Sequence, residues 1–320
     1  MEASERRTDA SAVPLVSVIV PVRNGIGGIG SLLDALERQT LPPRLFEVII
    51  VDDASSDGTG EAARGRGVEV VSTPSRLGSY GARNEGISVA RADTLAFTDA
   101  DCAPEPTWLE HGLHDLDDLG ADLLAGHIAV PLGRRPSKAA VVDAALHLHQ
   151  RAYVESFDFG ATANLFVRRA VFERIGRFNC RLRRGGDTEF GQRAVAAGFR
   201  LRYTRRAVAV HAPREARELA RKAYGLGLGS VEHGRYAEGP LAGRTAAWKR
   251  PKAWLPARRP LRPERLAERN YHPTRRELVA LRMVHWLCFR LPIAVGSLAG
   301  SVAACVPAGA RRKFAVVHRV

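Results

Sequence analysis

The first hundred residues alternate between short apolar runs and segments with helical spacing. Apolar runs predict buried strands, while Leu32, Leu33 and Leu36 follow the spacing of one helix face. The predicted strands are 16–22, 47–51, 68–71 and 94–98, and a later predicted helix covers 80–91. Strands that alternate with helices in this way pair in parallel. The pattern therefore predicts a sheet covered on both faces, with ligands bound at the carboxyl ends of its strands.

After residue 104 the alternation becomes less regular, which predicts that antiparallel strands join the sheet. Helical spacing recurs in 105–119, 137–154 and 187–198, and apolar runs occupy 121–130, 163–167 and 207–211. The predicted fold class is α/β, with a mixed, mostly parallel sheet flanked by helices. We expect a disordered tail in residues 1–13, a domain in 14–235, and a basic, partly helical extension in 236–320.

The 320-residue chain has a formal net charge of +14, and this charge is concentrated near the C-terminus. Residues 241–290 contain 13 Lys/Arg and 3 Asp/Glu, and residues 311–320 add four Lys/Arg, so residues 1–240 are neutral overall. Such clustering predicts an anionic partner for the C-terminal region. We expect that partner to be an anionic membrane surface.

Residues 291–307 contain no charged side chain. Their length is close to the minimum for a helix that crosses the roughly 30 Å hydrocarbon core of a bilayer. This segment predicts either a membrane-associated helix or a soluble helix hairpin. The four cysteines form no metal-binding or disulfide pattern, and residues 1–14 contain no apolar segment. We therefore expect a cytoplasmic protein at the inner face of the cell membrane.

Pairs of aspartates follow the second and the fourth predicted strands. Residues two apart in an extended chain point to the same side, so Asp99 and Asp101 can reach one divalent cation and its bound diphosphate. Asp52 and Asp53 lie where a carboxylate accepts hydrogen bonds from a nucleotide base or ribose. The alternative for both pairs is a role in turns or helix caps. No G-x-G-x-x-G follows the first strand, which argues against a dinucleotide-dependent dehydrogenase.

Seven short motifs occur in order between residues 14 and 212. They are PVRN at 21–24, VDDASSDGT at 51–59, ARNEG at 82–86, DAD at 99–101, ANLFVRR at 163–169, GRF at 176–178 and GGDTEF at 185–190. As an ordered set they resemble glycosyltransferase family 2, with its Rossmann-like GT-A fold. The resemblance implies inverting transfer of a sugar from a nucleotide-diphosphate donor to an acceptor hydroxyl, aided by Mg2+ or Mn2+.

The resemblance also implies roles for individual residues. The residues expected to bind the nucleotide sugar are Pro21, Val22, Asn24, Asp52, Asp53, Arg83, Asp99 and Asn164. The expected metal ligands are Asp99, Asp101 and His211. Asp187 matches the catalytic base of the family. Gly186 stands where the family usually has a glutamate, and Glu189 is the nearest substitute carboxylate.

Three other functions remain open. A sugar-nucleotide pyrophosphorylase needs a basic loop after the first strand, where residues 21–30 offer only Arg23. A nucleic-acid-binding protein would use the basic C-terminal region, although Trp248 and Trp254 form no known binding motif there. A catalytically inactive nucleotide-sugar-binding relative is compatible with Gly186. Our expectation is an enzyme that acts on a lipid-linked or glycan hydroxyl and does not bind nucleic acid.

Overall fold

The computed structural model describes residues 13–236, 261, 266–267 and 271–305. The tail expected to be disordered lies outside these residues, apart from Val13. The described residues form two compact units, one made of 13–129, 149–180 and 186–212 and the other of 130–148, 181–185 and the residues from 213 onward. Residues from 213 onward, including the helix that follows residue 215, belong to the second unit, and the domain boundary expected near 235 stays a prediction.

One eight-stranded sheet lies in the first unit. The strands are Val16–Val22 (β1), Phe46–Asp52 (β2), Glu69–Ser72 (β3), Thr94–Thr98 (β4), Cys102–Pro104 (β5), Leu123–Ala129 (β6), Asn164–Arg168 (β7) and Leu201–His211 (β8). The described helices are Ile26–Glu37 (α1), Thr59–Arg64 (α2), Ser79–Val89 (α3), Trp108–Asp118 (α4), Lys138–Leu146 (α5), Gln150–Phe157 (α6), Arg169–Ile175 (α7), Gly186–Ala196 (α8), Ala216–Tyr236 (α9), Arg275–His285 (α10) and Leu291–Cys305 (α11), with a 3-10 turn at Pro43–Leu45 and a π turn at Trp286–Arg290. The second unit contains α5, α9, α10 and α11.

The strand order in the sheet is β3-β2-β1-β4-β7-β6-β8-β5. Strands β3, β2, β1 and β4 are parallel, as are β6 and β8, whereas β7 runs antiparallel to both of its neighbours and β5 antiparallel to β8. The prediction of a mixed, mostly parallel sheet is therefore confirmed. The single helix predicted over 137–154 is wrong. It is two helices, because Leu148 between them has a φ of 60°, which a right-handed helix does not allow.

The sheet buries both of its faces, and β1 illustrates how. Val18 and Val20 belong to one hydrophobic cluster, together with Leu33 and Trp108, while Ile19 belongs to a second cluster on the other face. Neighbouring residues of a strand point to opposite sides, so an uninterrupted apolar run such as 18–20 supplies both clusters. This packing fixes the positions of the strands, and the candidate site lies at their carboxyl ends.

The second unit is built from helices that approach each other closely at glycines. A Cβ at Gly227 of α9 would overlap the carbonyl of Ile293 in α11, and one at Gly296 would overlap the carbonyl of Tyr224. Neither position accepts a larger residue without separating the two helices. The close approach of α9 and α11 therefore depends on glycine at both positions.

Asn164, the first residue of β7, lies in the interior of the sheet and is completely buried. Its Oδ1 accepts a hydrogen bond from Trp108 Nε1 at 2.8 Å, and its Nδ2 donates to the carbonyls of His127 and Ala207 at 2.8 and 3.0 Å. The expected contact between Asn164 and the donor sugar is therefore not supported. Its amide joins four separate segments of the first unit instead.

We predict that Asn164→Ala lowers the free energy of unfolding by about 3 kcal/mol or more, since it leaves three buried polar groups without their partner. Urea denaturation followed by tryptophan fluorescence measures this change. Ser88→Ala, at an exposed helical position, is the control and should change stability by less than about 0.5 kcal/mol. A stability of Asn164→Ala equal to that of the control would contradict the structural role.

Candidate functional site

The loops after β1 and β2 start side by side, because Val22 pairs with Asp52 in the parallel register. Asn24 Oδ1 accepts a hydrogen bond from Ser56 N at 2.9 Å. Arg23 Nη1 donates to the backbone carbonyls of residues 53 and 54 at 3.1 and 3.2 Å. Pro21 and Val22 form the last two positions of β1 directly beneath these loops. Asn24 thus lies in the predicted region and connects its two loops.

Asp53 is buried and orders the segment that leads into α3. Its carboxylate accepts hydrogen bonds from Leu77 N at 2.6 Å and Gly78 N at 2.9 Å. Asp52 is also buried, and its Oδ1 accepts from Ser55 N at 3.0 Å. Both aspartates lie at the carboxyl end of β2, as the sequence predicts, and both shape the loops there.

The buried Arg83 of α3 forms an ion pair with the half-buried Asp99 at the end of β4. Its Nη2 lies 2.5 Å from Asp99 Oδ1, and its Nη1 donates to the carbonyl of Ser79 at 3.3 Å. The Nε of Arg83 is buried and has no hydrogen-bond partner within the described part of the chain. An unpaired buried N–H is energetically costly. Burial raises the pKa of Asp99 more than Arg83 lowers it.

Asp101 and His211 meet where β5 pairs with β8. The distance from His211 Nε2 to Asp101 Oδ2 is 3.2 Å. His211 Nδ1 lies 2.5 Å from the carbonyl oxygen of Ala212 and donates to it, because a carbonyl oxygen can only accept. This orientation, with one ring nitrogen held by a carbonyl, is common in metal-binding histidines.

Among the described residues, no group of three or more His, Cys, Asp or Glu side chains is arranged to hold a metal ion by itself. Asp101 and His211 supply two suitable ligand atoms, and Asp101 is largely exposed. Asp99 is turned towards Arg83. The protein side chains therefore fit a divalent cation that takes its remaining ligands from oxygen atoms of a bound molecule, as a diphosphate provides.

Asp187 lies in the first turn of α8 and is half-buried. Its Oδ1 accepts hydrogen bonds from the hydroxyl of Tyr80 at 3.2 Å and from Thr188 N at 3.0 Å. No hydrogen bond to Oδ2 is formed by the part of the chain that the structure describes. The negative charge of Asp187 contributes to the raised pKa of Asp99.

Glu189 does not join this site. Residues two apart on a helix face different directions, and Glu189 is buried against Arg193, whose Nε and Nη2 lie 2.8 and 3.2 Å from its carboxylate oxygens. Arg193 in turn donates to the carbonyl of Arg177 at 2.9 Å. Glu189 therefore connects α8 to the segment after α7, and the expectation that it replaces the missing acidic side chain is not supported.

Sequence reasoning missed Tyr80, which is the residue that contacts Asp187 from α3. Its position, three residues before Arg83 in a motif-bearing helix, places it on the same helix face as that arginine. The glycine at position 186, where the family usually has a glutamate, was the available signal that another side chain occupies the space next to this position.

The chain resembles proteins of established families over most of its length. The model of the Glycosyl transferase family 2 matches residues 17–176, which is half of the chain. Glycosyltransferase AglE of Haloferax volcanii is 34% identical over 227 residues, covering 69% of this chain and 75% of the relative. Pre-mycofactocin glycosyltransferase of Mycobacterium tuberculosis is 30% identical over 220 residues, covering 65% of this chain and 45% of the relative.

Among solved structures, the fold is similar to that of the mannosyltransferase PcManGT from Pyrobaculum calidifontis, in complex with GDP-Man and Mn2+. The TM-score is 0.55 at 22% identity, and the similarity covers 96% of this chain and 80% of that one. The predicted GT-A fold is confirmed. The family match includes Asp52, Asp99 and Asp101 and ends before Asp187 and His211. On the extent of the family match and the identity with AglE, this chain belongs to glycosyl transferase family 2.

Proposed function

We propose that this glycosyltransferase transfers a sugar from a nucleotide-diphosphate donor to an acceptor hydroxyl and inverts the configuration at the anomeric carbon. The observation that carries the proposal is that a buried arginine, a carboxylate–histidine pair and a half-buried carboxylate lie at one edge of the sheet. These are Arg83, Asp101 with His211, and Asp187. Each has a separate chemical task in such a reaction.

The donor diphosphate is assigned to Arg83 and to the Asp101–His211 pair. The Nε of Arg83 is a buried donor without a partner in the described chain, and a phosphate oxygen would satisfy it. Asp101 and His211 would hold Mg2+ or Mn2+, and the ion would stabilise the negative charge that develops on the departing diphosphate. The presence of Mn2+ with GDP-Man in the similar PcManGT structure supports this assignment.

Asp187 is assigned as the general base for the acceptor hydroxyl. An alcohol is far more basic than a carboxylate, so the proton moves to Asp187 while the new glycosidic bond forms and not before. Glu189 is occupied by Arg193, which leaves Asp187 as the carboxylate that we assign to proton transfer. A single displacement with one base inverts the anomeric carbon, by analogy with glycoside cleavage.

The proposed acceptor is lipid-linked or a growing glycan. We also propose that the enzyme acts at the inner face of the cell membrane, where such an acceptor would be found. In the described residues, one continuous helix, Arg275–Ala299, is long and apolar enough to cross a membrane, and 17% of its most apolar stretch is buried. A core helix of a soluble protein would be mostly buried. Exposed apolar side chains occur along this helix at Val279, Met283, Leu287, Val295 and Leu298.

The π turn at 286–290 affects how these side chains are arranged. It accommodates one additional residue, which rotates the following helix by about 100° and brings Val295 and Leu298 to the side that carries Val279 and Met283. The result is one apolar stripe, which we call the exposed helix face. Arg275, Arg276 and Arg282 are exposed near its start, as expected for contact with anionic lipid headgroups.

We predict that a suitable sugar nucleotide stabilises the protein in the presence of Mn2+, by about 2.7 kcal/mol at a hundred times its Kd. A thermal-shift screen of sugar nucleotides identifies the donor, and product formation with that donor distinguishes a transferase from an inactive binding protein. Asp101→Ala should abolish the Mn2+-dependent shift, whereas Asp118→Ala, an exposed carboxylate on α4, should retain it. Full turnover by Asp101→Ala, or by the wild type in excess chelator, would exclude the metal role.

Asp187→Asn should retain the donor Kd and reduce kcat by about 10²–10⁴, because the proton acceptor is removed while the donor contacts remain. Glu189→Gln should act mainly on stability, through its contact with Arg193. Steady-state kinetics and thermal denaturation of both variants separate these effects. The assignment is wrong if Asp187→Asn is silent and Glu189→Gln is the variant that loses kcat.

The full-length protein should sediment with anionic liposomes at low salt, and less with neutral liposomes or at high salt. Met283→Glu with Leu287→Glu places two charges on the exposed helix face and should reduce this sedimentation. Leu119→Glu, which alters an exposed leucine of the first unit, is the matched control and should behave as wild type. If the wild type stays in the supernatant in every condition, the helix is a packed soluble extension.

A further inference from the structure

Tyr80 is a buried residue whose only polar atom contacts the proposed base. It is the second residue of α3, and its hydroxyl lies 3.2 Å from Asp187 Oδ1. Burial and the negative charge of Asp187 raise the pKa of the Tyr80 phenol well above its ordinary value. The phenol therefore keeps its proton and donates it in the hydrogen bond to the carboxylate.

The ring of Tyr80 is held on several sides, which fixes the position of the hydroxyl. Its centroid lies 5.9 Å from that of Phe178, and the guanidinium carbon of Arg83 lies 5.8 Å from the same centroid. Phe178 is itself packed against Phe97 and Phe190, with centroid distances of 5.5 and 4.6 Å. A rigid aromatic cluster thus determines where the Tyr80 hydroxyl lies.

The same ring fills the space next to Gly186. A Cβ built on Gly186 would lie 2.7 Å from Cε2 of Tyr80, which is closer than two carbon atoms can approach. Gly186 does not have a positive φ, so an alanine there would meet no backbone strain, and the three atoms nearest to its Cβ would all belong to the Tyr80 ring. Tyr80 and a side chain at position 186 therefore exclude each other.

We propose that Tyr80 is a positioning residue for Asp187 and that Gly186 is required because the Tyr80 ring occupies the space of a side chain at that position. This proposal rests on the proposed role of Asp187 as the base. Two donors, Tyr80 Oη and Thr188 N, hold Oδ1. The second carboxylate oxygen, Oδ2, then faces the acceptor hydroxyl in a fixed orientation.

Fixing one carboxylate oxygen has a consequence for the reaction. A carboxylate that rotates freely presents a lone pair to the acceptor for only part of the time, whereas one held at Oδ1 presents Oδ2 continuously. Tyr80 touches neither donor nor acceptor in this arrangement. Its removal should therefore affect kcat and leave donor binding unchanged.

Tyr80→Phe removes the hydroxyl and retains the ring. Loss of one hydrogen bond to a charged group predicts a 10- to 100-fold decrease in kcat, roughly, with the donor Kd unchanged within about twofold. Tyr203→Phe is the matched control, because its hydroxyl makes a 3.0 Å contact with His127 Nδ1 at the start of β8, and it should retain wild-type kcat. In an Asp187→Asn background, Tyr80→Phe should change kcat less than threefold, roughly, because no base remains to be positioned.

The packing of the ring is tested without any activity measurement. Gly186→Ala should lower Tm by about 3–10 °C, since overpacking against a rigid ring is destabilising. Gly30→Ala, in α1 where a Cβ would meet no atom within 4 Å, should keep or raise Tm. A Gly186→Ala variant as stable as Gly30→Ala overturns the steric part of the proposal.

The outcomes also separate this proposal from the proposed function. Wild-type kcat in Tyr80→Phe, with turnover measurable and Asp187→Asn impaired, overturns the positioning role while the base assignment stands. An equal effect of Tyr80→Phe in both backgrounds also overturns it. Wild-type protein that binds a donor but forms no product overturns the proposed function, and the Tm comparison still decides whether Tyr80 and position 186 exclude each other.

Discussion

The ion pair between the buried guanidinium of Arg83 and Asp99 is the interaction on which the candidate site depends. A charge removed from water must be paired, and Arg83 is paired with Asp99 at the end of β4. The same guanidinium lies over the ring of Tyr80, which reaches Asp187. One side chain of α3 thus connects the carboxylate of the DAD motif to the proposed base. A change in the position of α3 would move both ends of the site together.

The position of α3 is itself set by the loops before it. The carboxylate of Asp53 accepts the N–H groups of Leu77 and Gly78, which immediately precede the helix. Gly78 has a φ of 82°, a conformation that a residue with a side chain rarely adopts. The end of β2 therefore determines where α3 begins. Asp53 can shape a nucleotide pocket in two ways, by ordering the loop before α3 and by direct contact. The first role alone explains why the fold needs an aspartate at this position.

Features of the fold that depend on residues close together in the sequence could be predicted from the sequence. Strand 94–98 and the antiparallel strands beyond residue 104 follow from local apolar patterns. Asp57 makes a similarly local contact, since its Oδ1 accepts the N–H of Thr59, two residues later, at the start of α2. The side chains whose contacts the sequence did not indicate depend on partners that are distant in the chain. Asn164 is surrounded by segments near residues 108, 127 and 207, and no local pattern reports that its amide is already used.

Glu189 and Gly186 show why a motif alone is insufficient to place a functional carboxylate. Glu189 is close to Asp187 in sequence, but the helical geometry directs it to Arg193. Gly186 lacks the family's glutamate, which on sequence grounds is compatible with an inactive protein. The geometry is compatible with an active one, because two donors hold Asp187 Oδ1 while Oδ2 accepts no hydrogen bond from the described part of the chain. A binding protein would have no need to keep this oxygen available, whereas a transferase needs it for the proton of its acceptor.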